Sequence, residues 1–149
     1  MKRTRTLLII MSLFLLASVI LSSCGSAADT GPVTLTITGL VDKPLSLTDT
    51  GLHAMKAADI TAEHPKKGAQ AYTGVRLSDL LTKAKVQSGA ATLVFTASDD
   101  FSAELDLATV NSCADCMVAF TETAGTYQLV MPGQASKLWV KNLIKIEAK

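Results

Sequence analysis

Polar and apolar positions alternate strictly over "VTLTITG" (Val33–Gly39), with Val33, Leu35 and Ile37 on one side and three threonines on the other. A period of two predicts a strand with one buried face. Asp42-Lys43-Pro44 marks a turn, and "LSL" (Leu45–Leu47) reads as a short return strand. Thr48 offers a capping oxygen to a small helix reaching Met55, although Gly51 weakens that helix. "DITAE" (Asp59–Glu63) predicts a strand that enters a loop, "HPKKGAQ" (His64–Gln70). After "YTGV" (Tyr72–Val75) the period lengthens: Leu77, Leu80, Leu81 and Ala84 recur at helical spacing, with Ser78 placed to cap.

The second half returns to strands. "ATLVFTA" (Ala91–Ala97) reads as a buried strand, "SDD" as a turn, and "FSAELDL" (Phe101–Leu107) alternates again. A brief helix is expected around Ala108–Asn111, ahead of Cys113 and Cys116. "MVAF" (Met117–Phe120), a turn at Ala124-Gly125, and "YQLVM" (Tyr127–Met131) follow. Pro132-Gly133 then turns the chain before "KLWVKNLIKIEA" (Lys137–Ala148). Seven or eight short strands with two or three short helices make an α+β domain, mainly mixed or antiparallel sheet.

The N-terminal residues break this rhythm. Lys2, Arg3 and Arg5 precede a nearly unbroken apolar run, Leu7–Leu21, which ends in "LSSC" (Leu21–Cys24). The run is short for a membrane span and closes on small residues, as export leaders do. An aliphatic residue, two small residues and a cysteine resemble the lipobox of bacterial lipoproteins. That resemblance implies a leader over residues 1–23, cleavage before Cys24, and acylation of Cys24. Two or three acyl chains hold a protein firmly where one binds marginally. The expected organisation is thus a leader, a lipidated cysteine with a flexible tether over 24–32, and one domain over 33–149. It places the protein at the cell membrane, lipid-anchored on the extracytoplasmic face, with Gly25 leaving inner and outer membrane undecided.

Cleavage changes the charge. The chain has fourteen basic and thirteen acidic residues, and the leader takes three of the basic ones, which moves the net from +1 to −2. Such a balance carries no electrostatic footprint for nucleic acid. No nucleophile elbow, phosphate loop or dinucleotide fingerprint appears.

Four segments, "GLVDKPLSL" (Gly39–Leu47), "YTGVRLSDLL" (Tyr72–Leu81), "DDF" (Asp99–Phe101) and "LVMPGQASKLWVKNLIKIE" (Leu129–Glu147), follow in an order that resembles the oxidoreductase molybdopterin-binding domain of sulfite-oxidase-like proteins. In that fold Gly74 is expected to turn the backbone before the helix, Pro132-Gly133 to shape a loop, and Trp139 to plug the core. The resemblance implies a molybdenum centre held by a cysteine thiolate just after the strand preceding the aromatic-Gly-Val segment. Here that stretch, "ITAEHPKKGAQAYTGV" (Ile60–Val75), contains no cysteine, and His64 stands near its place. Imidazole is a poor substitute for a soft thiolate, and the chain has few places for arginines that grip a pterin phosphate. The implied role is a binding or accessory module, with no cofactor expected. Molybdopterin retained through His64, Lys66 or Lys67 is the alternative that would make it an oxidoreductase.

His64, Lys66, Lys67, Tyr72 and Arg76 form the candidate ligand-binding set, for a small anionic ligand or a protein partner. Against this, two lysines in a glycine-containing loop are ordinarily solvated, and His53 and His64 read as surface histidines. Asp99, Asp100, Glu104 and Asp106 cluster without calcium-loop spacing. The pair in "SCADCM" lacks the histidine of a haem attachment site, Met117 standing in its place. Zinc would require His53 or His64 to fold against it. Thiol exchange prefers a helix N-terminus, whereas this pair follows a helix. A local disulfide between Cys113 and Cys116 is the reading that exported cysteines favour, with a thiol redox carrier as its alternative.

Overall fold

A computed structural model describes residues 30–149; the expected leader, Cys24 and most of the tether lie outside the described residues. The described elements run β1 (Val33–Gly39), β2 (Leu45–Thr48), α1 (Asp49–His53), β3 (Ala57–His64), β4 (Gly68–Arg76), α2 (Leu77–Ala84), β5 (Thr92–Ala97), β6 (Ser102–Asp106), α3 (Leu107–Ser112), β7 (Met117–Phe120), β8 (Tyr127–Val130), a 3-10 turn (Ser136–Leu138) and β9 (Leu143–Ala148). They build a five-stranded sheet in the order β2-β1-β9-β5-β6 and a four-stranded sheet in the order β3-β4-β7-β8. Every strand pair is antiparallel except β1 with β9. The α+β expectation therefore holds, in a mixed sheet joined to an antiparallel one. No helix of the described residues is long and apolar enough to cross a membrane.

Alternation explains the first sheet. Leu35 and Ile37 of β1, Leu93 and Phe95 of β5, and Ile146 of β9 are fully buried. Val33 departs from its pattern: it is 54% exposed, and the β1–β2 register shifts between Val33 and Leu35. A shift of one residue turns a side chain to the other face. Helix α2 buries Leu77, Leu80, Leu81 and Ala84, the apolar stripe its spacing predicts. Thr48 caps α1 through a 3.0 Å bond from the Gly51 amide. Ser78, by contrast, lies within the first turn of α2, whose cap position is Arg76.

The largest correction falls on the expected loop His64–Gln70. Strands β3 and β4 pair along their whole length, from Ala57 opposite Val75 to His64 opposite Gly68, so that only Pro65, Lys66 and Lys67 form the turn. Gly68, at φ 75°, occupies the left-handed region that closes it. Gly74 lies inside β4 and makes no turn. A Cβ there would meet the Val118 carbonyl oxygen at 2.2 Å, so this glycine admits the close approach of β7.

The two sheets meet through Tyr127. This β8 side chain is buried, and its hydroxyl lies 2.7 Å from Thr34 Oγ1 of β1 while donating to Asp49 Oδ1 of α1 at 3.0 Å. The Gly125 amide also donates to Asp49 Oδ1, at 3.0 Å, fastening the β7–β8 turn to α1.

Candidate functional site

The β3–β4 turn organises the site. His64 ends β3 with its ring captured by its own turn: Nδ1 accepts from the Lys66 amide at 3.0 Å, and the His64 carbonyl accepts from the Lys67 amide at 3.0 Å. Nε2 is the nitrogen this turn leaves unused. The expected surface histidine is instead buried, at 7% exposure. Its ring meets the edge of Trp139 with centroids 4.7 Å apart. Tyr72 of β4 tilts against the same indole at 5.8 Å and donates its hydroxyl to Gln70 Oε1 at 3.1 Å. Burial pushes the Tyr72 phenol above its ordinary pKa. Trp139, 4% exposed, is thus the core plug the sequence predicts and also the wall of a cleft.

That cleft, of about 430 Å³, is lined by His64, Lys66 and Lys67 from the hairpin, Phe101 from the β5–β6 turn, and Ser136, Lys137, Trp139 and Lys141 from the segment before β9. An adjoining cleft of about 290 Å³ shares Phe101, Lys137, Trp139 and Lys141 and extends to Asp99 and Asn142. Among the described residues the side-chain ion pairs are His53–Asp49, Arg76–Asp115 and Lys145–Glu147, none of which neutralises a cleft lysine. Four unpaired ammonium groups beside two aromatic rings suit a planar anion or a phosphate-bearing ring. A cleft of about 450 Å³ between α2 and α3 has one ionisable side chain, Lys85, and no aromatic ring, and offers no such chemistry.

The candidate set divides accordingly. His64, Lys66 and Lys67 come together in the cleft, Tyr72 stands behind Trp139, and Arg76 lies at the other end of β4. There Nη1 of Arg76 donates to the Ala114 carbonyl and to Asp115 Oδ1, the latter at 2.9 Å. Both acceptors lie between Cys113 and Cys116, which are joined by a disulfide. The Leu77 amide adds a 2.9 Å bond to the Cys116 carbonyl. The pair follows α3 and leads into β7, as expected, and Cys116 is buried. Neither histidine approaches it: His53 stacks on Phe120 at 3.8 Å, and His64 lies at the far end of the hairpin. Among the described residues no group of three or more His, Cys, Asp or Glu side chains is placed to hold a metal ion. In the acidic cluster, Asp99 Oδ1 accepts from the Phe101 amide, which makes that segment a turn.

Phe101, Ser136, Lys137 and Lys141 are the cleft residues to which the sequence pattern assigns no site role. The lysines stand two residues on either side of Trp139, and this "KLWVK" spacing is the signal they leave.

The family described as the oxidoreductase molybdopterin-binding domain matches residues 26–149. The chain belongs to that family. Among solved structures, the sulfane dehydrogenase SoxCD from Paracoccus pantotrophus is similar at a TM-score of 0.66 and 24% identity, over 76% of this chain and 37% of that one. The domain therefore spans well under half of the SoxCD chain, and the likeness is one of fold. A search of curated proteins found no match.

Membership bears on the cofactor. A family described by molybdopterin binding lends no support to the expectation that none is bound. The residues of this domain fit the anionic part of that group, through Lys66, Lys67, Lys137 and Lys141 around Trp139. They do not fit its metal in the same way: both cysteines of the described residues are consumed by the disulfide.

Proposed function

We propose that the protein is a lipid-anchored extracytoplasmic domain that binds a phosphate-bearing anionic ligand of the molybdopterin class in the lysine-lined cleft. It does so without a protein thiolate on molybdenum, and acts as a binding or accessory module rather than as an oxygen-atom-transfer enzyme. The observation that carries this reading is the cleft itself: around Trp139 and His64 stand four lysines that have no carboxylate partner among the described residues, whose two cysteines are both in the disulfide. The lipobox-like "LSSC" supports the anchor, and the sequence from Ile60 to Val75, lacking cysteine, supports the loss of the metal ligand. The closed Cys113–Cys116 bond, with Arg76 clasping the loop between its cysteines, favours a staple over an electron carrier.

The test uses the full chain, made with its own leader in a host that synthesises molybdenum cofactor and extracted in mild detergent. Native mass spectrometry and elemental analysis are expected to show an acylated chain with less than stoichiometric molybdenum. Added pterin phosphate is expected to bind, and binding to fall at least tenfold in Lys66→Ala/Lys67→Ala, the order of loss when charge-assisted phosphate contacts go. Stoichiometric molybdenum that survives gel filtration would overturn the non-enzymatic reading. Pterin binding that ignores the two lysines would overturn the assignment of the cleft.

A further inference from the structure

The lysines of the cleft supply charge without direction; His64 supplies direction. Its buried ring is held on two sides. Nδ1 accepts from the Lys66 amide at 3.0 Å, and the Trp139 indole meets the ring at 61° with centroids 4.7 Å apart. The sequence stiffens this hold, because Pro65 follows and a residue before proline is biased toward extended backbone.

Which nitrogen bears the proton follows from that clamp. A neutral imidazole has one N–H and one lone pair, and the bond made by one nitrogen fixes the state of the other. Nδ1 spends its lone pair on the Lys66 amide, so the hydrogen of the neutral ring is on Nε2. Nε2 has no partner within the protein, yet among the described residues no fully enclosed side-chain nitrogen or oxygen is left unpaired. Nε2–H therefore opens outward from a buried ring, and the 430 Å³ cleft is the space that His64 lines.

The walls decide what such a donor can meet. Beside His64 stand Phe101, Ser136, Trp139 and the lysines, with no carboxylate and no side-chain amide among them. Glu122 shares a different cleft with Lys67, and Asp99, in the adjoining one, accepts from the Phe101 amide. Trp139 Nε1 is engaged by the Gln134 carbonyl. Donors without a matching side-chain acceptor call for a ligand rich in acceptors, an oxyanion. The same tautomer argues against metal. A histidine that ligates metal through one nitrogen donates the N–H of the other to a carbonyl or carboxylate. His64 is wired in the opposite sense: Nδ1 accepts, and Nε2 has no lone pair to give.

We infer that His64 is an oxyanion donor and not a metal ligand: its Nε2–H takes one phosphate oxygen of the bound anion and orients that group beside Trp139. The inference rests on the ligand class proposed above and names the residue that gives the cleft its directional contact.

The test uses the full acylated chain in mild detergent with isotope-labelled histidines, at about pH 8, above the ordinary imidazole range. The chain has two histidines, so His53, stacked on Phe120, is the internal control. Imidazole proton–nitrogen correlation spectra are expected to show His64 as the Nε2–H tautomer. Pterin phosphate should move the Nε2–H signal downfield and slow its exchange with solvent, leaving His53 unchanged. Zinc ions should leave the His64 tautomer as it is. His64→Asn keeps an acceptor for the Lys66 amide and removes the donor, so pterin phosphate affinity should fall about tenfold, the loss of one hydrogen bond to a charged group. The wild-type spectra decide the question even where that variant is destabilised. An Nδ1–H tautomer, in the free chain or with zinc on Nε2, would overturn the donor role. Pterin phosphate that binds without moving the Nε2–H signal, or that binds His64→Asn as tightly, would overturn it too and leave the ligand class standing. A wild type that binds no pterin phosphate defeats the ligand class and this contact with it.

Discussion

The two ends of β4, about 25 Å apart at a strand's rise per residue, place their basic residues in opposite chemical settings. At the Gly68 end, Lys66 and Lys67 project from a three-residue turn and have no carboxylate partner among the described residues. At the other end, Arg76 is spent: a carbonyl, a carboxylate and a neighbouring disulfide fix the loop that it holds. A cation already satisfied by the protein has little left for a ligand, and a cation left unpaired beside an aromatic wall does. The sequence groups these residues as one candidate set; their partners separate them into scaffold and recognition.

The comparison depends on β4 being held rigidly against β7, and Gly74 is where that hold is tightest. Gly74→Ala drives a methyl group into the Val118 carbonyl, backbone that cannot step aside. The expected loss is about 3 kcal/mol in denaturant-induced unfolding, at the upper end of overpacking costs. A loss below about 0.5 kcal/mol, the range of an ordinary surface change, would mean that the two strands yield and the ends are not fixed relative to one another.

The next effect isolates the scaffold end. Closing the four-residue loop from Cys113 to Cys116 is worth about 2 kcal/mol by chain entropy, so Cys113→Ser/Cys116→Ser should lower stability by that amount. Ligand affinity at the lysine end should stay within twofold, as expected for distant, independent sites. A parallel loss of affinity would show that the two ends act as one unit.

Much of this architecture is legible because the pattern is local. Leu77, Leu80, Leu81 and Ala84 specify α2 by spacing alone, and Thr48 specifies the start of α1 by the chemistry of its oxygen. The β3–β4 hairpin is not legible in the same way. "HPKKGAQAYT" (His64–Thr73) has no apolar alternation, since β4 is mostly exposed until Gly74, and its strand character comes from pairing with β3. The burial of His64 is equally non-local, because it depends on Trp139, seventy-five residues away in the chain. Lys137 and Lys141 gain their meaning only when the β8–β9 segment folds against the hairpin. The Cys113–Cys116 bond is legible as the pairing that exported cysteines favour; Arg76 as its clamp requires the fold.

Tyr127 offers a third polar arrangement, neither exposed nor ionic, in which a neutral phenol is matched to Asp49 and Thr34. Tyr127→Phe should cost about 1 kcal/mol, the net worth of a buried hydrogen bond. Burial pushes this phenol up to about 12; the Thr34 bond works against the rise, and the Asp49 bond and charge add to it. The native state therefore favours the protonated form more than the unfolded chain does. That contribution is complete below about pH 10, the unfolded value, and is lost as pH climbs through the folded one. Denaturation midpoints of the wild type are expected to fall between pH 10 and 12 more steeply than those of Tyr127→Phe. Parallel curves would mean that the phenol is not protected by the sheet junction.

The smallest change in stability should come from the residues assigned to recognition. Lys66 and Lys67 are exposed and lack carboxylate partners among the described residues, so Lys66→Ala/Lys67→Ala should move the unfolding free energy by no more than about 0.5 kcal/mol. The turn itself survives the change, because the bonds that define it run from the Lys66 and Lys67 amides to His64 and use neither ammonium group. Stability and binding should therefore come apart at this end of β4: an intact fold, and pterin phosphate affinity lowered at least tenfold. Arg76→Ala should show the reverse, a stability loss of about 0.5–1 kcal/mol for a partly exposed ion pair with unchanged affinity. If Arg76→Ala weakens ligand binding as much as the lysine pair does, the division of β4 into a scaffold end and a recognition end is wrong.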